Sequence, residues 1–195
     1  MPRTTRFAAL ICTALLTGAE PADDGTWHMG GYSFSDELGG FRILGVSGAG
    51  TRDDPVVVTQ ELYSASEMVL TIRVPGPRAP PTDTRRAGLA LYLRLETVNA
   101  SDFAWVEFGF ELQQVLGEPS TYGDGLSFDQ AVAEAETLAS SAFNAFSRDF
   151  EPYDRVLFRQ GKADPRETVT FTMLITDLTP VYQFHLVQDP RIPFS

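Results

Sequence analysis

Apolar and polar residues alternate with period two in four segments of this chain. Met68, Leu70, Ile72 and Val74 alternate with Glu67, Val69, Thr71 and Arg73. Leu89, Leu91, Leu93 and Leu95 alternate with Ala90, Tyr92, Arg94 and Glu96. Val106, Phe108, Phe110 and Leu112 alternate with Glu107, Gly109, Glu111 and Gln113, and Val169, Phe171, Met173 and Ile175 with Thr168, Thr170, Thr172 and Leu174. Each set places one apolar row on a core and a more polar row outward, as a half-buried strand requires. Weaker strand signals cover 26–34, 40–47, 55–62, 153–160 and 181–187. Strands at this spacing, broken by Gly and Pro turns and without a strand–helix–strand rhythm, predict an all-β fold. The expected architecture is an antiparallel β-sandwich, immunoglobulin-like or jelly-roll in style.

Two segments depart from the alternation. Phe128, Ala131, Val132, Ala135, Leu138, Ala139, Ala142 and Phe143 share one face at helical spacing, and Ser127 with Gln130 has the form of a capping box. The pattern predicts one short inserted helix covering an open end of the sandwich. Residues 75–87 hold four prolines together with Arg78, Arg85 and Arg86. Proline forbids a ladder strand there and favours a stiff, exposed connector. The three arginines are the local concentration of positive charge, and so the candidate contact for an anionic group or acidic partner.

The N-terminus reads as a cleavable signal peptide over 1–19: Arg3 and Arg6 precede an apolar stretch from 7 to 16, and Thr17, Gly18 and Ala19 supply the small residues before cleavage. A membrane span needs roughly 20 apolar residues, about twice this run. Residues 20–25 then form a flexible mature N-terminus and 26–195 a single domain, with no transmembrane segment after cleavage. The one cysteine, Cys12, lies inside the leader and leaves with it. Disulfides and thiolate chemistry are therefore outside the mature chain's repertoire. Two of the fifteen basic residues leave as well, and no acid does, so 13 basic residues face 26 acidic ones. That balance excludes nucleic acid and anionic lipid surfaces as partners, because binding them needs clustered Lys and Arg.

Candidate chemistry is sparse. His28 and His185 stand far apart without metal-ligand spacing. Gly45-Val46-Ser47-Gly48-Ala49 fails the nucleophile-elbow pattern at its last position and reads as a glycine-rich turn. Asp53 with Asp54, and Asp124 with Asp129, are oxygen-rich loop groupings of the kind calcium takes, and calcium is the cofactor they would bind, if any. Aspartates in such loops equally form Asx-turns. Asn99-Ala100-Ser101 has sequon form and reads as a loop. Trp27, Tyr32, Phe34 and Trp105 fit a core better than a sugar-binding platform, since large aromatics are mostly buried.

The stretches FSDELGGFRILGVSGAGTRDDP (34–55) and FHLVQDPRIPFS (184–195) resemble uncharacterised exported proteins of proteobacteria. The resemblance implies a periplasmic or secreted location and carries no catalytic motif. The reading that follows is a non-catalytic binding or structural module of the periplasm or cell envelope, with an envelope protein or a glycan as partner. The alternatives are a carboxylate-dependent enzyme acting on glycans and a small outer-membrane barrel.

Overall fold

The computed structural model describes residues 19–74, 88–121, 123–128, 137–148 and 150–193. The expected leader up to residue 18, the connector with Arg78, Arg85 and Arg86, and Asp129 lie outside the described residues. Among the described residues there are thirteen strands and no helix. They are β1 (Trp27–Met29), β2 (Tyr32–Ser35), β3 (Phe41–Ser47), β4 (Val56–Leu62), β5 (Met68–Arg73), β6 (Leu89–Asn99) and β7 (Glu107–Gln113). After these come β8 (Leu126–Phe128), β9 (Leu138–Ser140), β10 (Phe143–Ser147), β11 (Arg155–Gly161), β12 (Thr168–Asp177) and β13 (Gln183–Arg191).

Two sheets pack face to face as a sandwich. The larger runs β1-β2-β5-β13-β7-β11-β10 and the smaller β3-β4-β6-β12-β8, with β9 also on the β12 edge. Every pairing is antiparallel except β4 with β6, where Val56 faces Leu93 in a parallel ladder. The sheets keep separate edges and do not close, which removes the outer-membrane barrel from the alternatives. Among the described residues no helix is long and apolar enough to cross a membrane.

The alternating patterns do what their period requires. In β6 the odd positions from Leu89 to Asn99 are buried while Ala90 and Arg94 are exposed. Burying one row per strand builds a single core between the sheets, centred on rings from both. Phe108 and Phe110 of β7 lie 4.6 and 5.0 Å, centroid to centroid, from Phe171 of β12. Trp105 closes edge-on against Phe108 at 5.3 Å, and Phe158 packs against Phe171 at 5.3 Å. Phe34, Tyr32 and Trp105 are buried, as the core reading of these aromatics expects.

Both ends of the expected helix are strand, and its middle, 129–136, lies outside the described residues. Phe128 faces Ile175 and Leu138 faces Met173, so β8 and β9 lie along the same edge of β12. Between those pairs β12 holds one residue, Leu174, whereas the other side holds the nine from 129 to 137. Thr137 O resumes the ladder on this edge by accepting from Leu174 N–H at 2.9 Å. Phe143, the last residue of the predicted apolar face, opens β10 in the opposite sheet.

Asn99 is not a loop sequon either. It ends β6 fully buried, its Nδ2 donating to Phe103 O (2.8 Å) and Ala163 O (3.0 Å) while its Oδ1 accepts from Ser101 N–H and Oγ–H. That saturated amide is a staple for the chain reversal after β6 and has no room for a sugar.

Candidate functional site

Of the sequence-predicted site residues, Asp53, Asp54 and Asp124 are described, and they lie at one end of the sandwich without forming one site. β4 and β6 both start at this end, as does β8, because Leu126 faces Asp177 and Asp177 faces Leu89. Asp53 and Asp54 stand exposed in the β3–β4 turn, which Ala49 and Thr51 N–H close by donating to Asp54 O. Gly48 is required in that turn: its φ is +86°, and a Cβ would sit 1.9 Å from Pro55 O. Asp124, just before β8, lies three strand positions away across the sheet. Val74 and Gly88, which flank the arginine-bearing connector, belong to the same end, since Val74 N–H donates to Tyr182 O and Gly88 lies against Asp177 O.

Asp124 is a hub of this end. Its carboxylate accepts from Ser120 Oγ–H and from the N–H groups of Thr121 and Leu126, at 2.7–3.0 Å. Its carbonyl accepts from Gln114 Nε2 (2.8 Å) and Thr179 Oγ1 (2.5 Å), which ties the loops after β7 and β12 together. Asp177 beside it is buried and accepts from Thr179 N–H at 2.9 Å and Val181 N–H at 3.3 Å. Burial pushes the Asp177 carboxyl up from its ordinary pKa; the two amide bonds oppose the push and the charge of Asp124 adds to it. Among the described residues no three His, Cys, Asp or Glu side chains converge to hold a metal ion.

A second region, which no sequence motif marks, lies on the outer face of the seven-stranded sheet. Strand pairing brings Gly109 of β7 opposite Asp189 of β13 and Leu157 of β11, and sets Val187 opposite Glu111. These residues bound a groove of about 130 Å³. Gly109, Val187 and Leu157 supply its apolar floor, and Phe150 and Glu67 reach its rim. Two ion pairs wall it: Arg155 Nε with Glu111 Oε2, and Arg191 Nε with Asp189 Oδ2 at 2.8 Å. Glu107 stands 3.7 Å from Arg191 on the far side of that second pair.

Gly109 is what opens the groove. It sits between Phe108 and Phe110, both directed into the core, so its own position faces outward. Its φ lies outside the left-handed region, so the backbone does not demand glycine. A strand-interior glycine costs roughly 0.5–1 kcal/mol relative to Ala and often marks close approach of a ligand or another chain. A Cβ here would meet Asp189 Cβ at 3.3 Å and Oδ2 at 3.4 Å, so Asp189 would have to give by a few tenths of an ångström.

Toward the β2 side of the same face, His185 is only 4% exposed. Thr71 and Gln113 flank it in register. Arg73 Nε donates to Gln183 Oε1 at 2.8 Å, which orients that amide so that Gln183 Nε2 donates to His185 Nε2 at 3.2 Å. His185 Nδ1–H is then left to donate to Thr71 Oγ1 at 3.3 Å. Burial lowers the His185 pKa, the Arg73 charge lowers it further, and Glu37 works against both. The imidazole is a neutral link in a filled network, with both nitrogens engaged. His28 lies on edge strand β1, its Nε2 3.1 Å from Thr26 Oγ1. Comparison with known proteins supplies no relative: no protein-family model matches the chain, no curated protein matches it, and no solved structure matches it.

Proposed function

We propose that this chain is an exported, non-catalytic binding module of the periplasm or cell envelope, and that the outer face of its seven-stranded sheet is the binding surface. The observation that supports it is the groove over Gly109: an apolar floor between two charge pairs already fixed by their own partners. Fixed, paired charges around a concavity suit recognition, because little side-chain entropy is lost on binding. They do not suit glycoside cleavage, which needs one carboxyl set apart as the proton donor and a second facing it. Glu111 and Asp189 are each committed to a guanidinium, and Asp177, the carboxyl pushed upward by burial, lies at the loop end.

The export part of the proposal rests on the leader pattern at 1–19. The test is an envelope cross-linking pull-down with C-terminally tagged protein, run beside a Leu157→Arg variant that places a charge on the groove floor. The expected result is a partner, protein or glycan, captured by the native chain, competed by untagged protein and lost in a still-folded variant. Absence of any competable partner, or equal capture by both proteins, would sink the outer-face reading. Leu178 and Tyr182, 68% and 65% exposed at the loop end, carry the second reading. Capture that is lost with Tyr182→Ser and kept with Leu157→Arg would move the binding surface there.

A further inference from the structure

We infer that the groove over Gly109 receives a neutral hexose-type ring, one unit of a glycan; this rests on the reading of the outer face as a binding surface. Size is the first argument. At about 130 Å³ the groove is well below the roughly 300 Å³ where drug-sized pockets begin, so it takes a single ring or a single side chain.

Charge decides between those occupants. A lone anion entering the groove meets Glu111, Asp189 and, at the rim, Glu67. A lone cation meets Arg155 and Arg191. A ring bearing vicinal hydroxyls meets both kinds of group productively, because each hydroxyl donates and accepts. Each arginine uses its Nε–H on the neighbouring carboxylate; Arg191 also turns Nη1 toward Glu107, and the remaining terminal N–H groups of the two guanidiniums are further donors. Asp189 Oδ1 is a further acceptor, and Glu111, whose Oε1 also accepts from Gln113 Nε2 at 2.6 Å, keeps a second lone pair on each oxygen. Donors and acceptors thus alternate around a floor of Gly109, Val187 and Leu157, where the C–H face of a sugar would lie, with Phe150 at the margin. Gly109 supplies the depth, since any side chain there would project into the ring's place.

The experiment is saturation-transfer NMR on the full chain, with methyl chemical shifts recorded for Val187 and Leu157. The probes are glucose and N-acetylglucosamine as neutral rings, glucuronate as the anionic one and glucosamine as the cationic one. The expected result is transfer to a neutral sugar with shifts at both methyls. Binding should be at least about tenfold weaker in Gly109→Val and in Arg191→Gln, with the melting temperature checked for each. Arg191→Gln leaves the floor intact, so the question survives if Gly109→Val fails to fold. Three results overturn the inference: no transfer to any neutral sugar, tighter binding of glucuronate or glucosamine, or unchanged affinity in a folded Gly109→Val. If sugars fail while the pull-down still yields a protein partner lost in Leu157→Arg, the inference falls and the binding-surface reading stands. If the sugar binds and a glycan probe is also cut, shown by new reducing ends, the non-catalytic reading falls and the ring site stands.

Discussion

Strand β13 carries two glutamines, five residues apart and therefore on opposite faces, and they live in different polar worlds. Gln188 points between the sheets, where it pairs with Gln60 of β4. Gln60 Nε2 donates to Gln188 Oε1 at 2.6 Å and to Thr97 Oγ1 at 2.9 Å, while Gln188 Nε2 donates back to Gln60 Oε1 at 3.2 Å. All three residues are fully buried. Gln183 points outward and links Arg73 to His185 in a network that ends at Glu37, on the solvent side. The interior cluster is uncharged, reciprocal and spans the two sheets; the outer one holds charges and stays within one sheet. A sealed polar pair fixes how the sheets sit on each other, since only one alignment satisfies both amides. An outer network orients groups that water or a ligand can still reach.

Breaking the interior pair should produce the largest effect. Gln60→Leu leaves both ends of the Gln188 amide and the Thr97 hydroxyl without a partner in the core. An unsatisfied buried polar group costs about 1–3 kcal/mol, so the single variant should lose about 2–3 kcal/mol of stability. Replacing both glutamines by leucine removes the two amides together, leaving the Thr97 hydroxyl as the one unpaired group, and should recover most of the loss. Urea denaturation of the two single variants and the double variant closes the cycle. Additive losses would mean that the amides do not act as a pair.

The two clusters were not equally readable in the sequence, and the reason is physical. In β6 one face is core and the other solvent, so the leucine alternation at 89–95 announced the strand, although Thr97 and Asn99 hid its buried end by being polar. β13 gave a weaker signal because Phe184, His185, Leu186, Val187 and Gln188 are all buried, which erases the period. The helical pattern over 127–143 is ambiguous at its ends because half of its apolar face is alanine, which marks neither period strongly. Its larger members, Phe128, Leu138 and Phe143, belong to three separate strands. No motif marks the groove, because its walls come from β7, β11 and β13, which only the ladder brings together. One signal did exist: a glycine inside the otherwise well-patterned strand from Glu107 to Gln113.

The outer network should sharpen the comparison through pH, because the interior one has nothing to titrate. His185 has a folded pKa below its ordinary 6.5, first because it is buried. Below pH 6.5 the unfolded chain therefore binds more protons at this site than the folded chain does. The stability associated with the neutral imidazole is fully present above 6.5 and is lost as pH falls from there through the folded value. His185→Gln keeps a neutral hydrogen-bonding side chain and removes that proton. Its stability curve should be flatter than the native one below pH 6.5, by at most about 1.4 kcal/mol per pH unit. Parallel curves for the two proteins would show that His185 does not titrate with unfolding.

The smallest effect tests the order of influence within the outer network. Arg73 and Glu37 form a 2.5 Å ion pair in which the glutamate is 43% exposed, so losing it should cost well under about 1 kcal/mol. Its effect on His185 is a different matter, because the two partners push the imidazole in opposite directions: Arg73 lowers its pKa and Glu37 raises it. Glu37→Gln removes the raising charge and leaves the guanidinium, together with its bond to Gln183, in place. The His185 pKa should then fall below its native value, read from the ring-proton shifts in an NMR titration. A rise instead would mean that Arg73, released from Glu37, swings away and withdraws its charge. In that case the salt bridge, and not the Gln183 amide, would be what holds the guanidinium over the histidine.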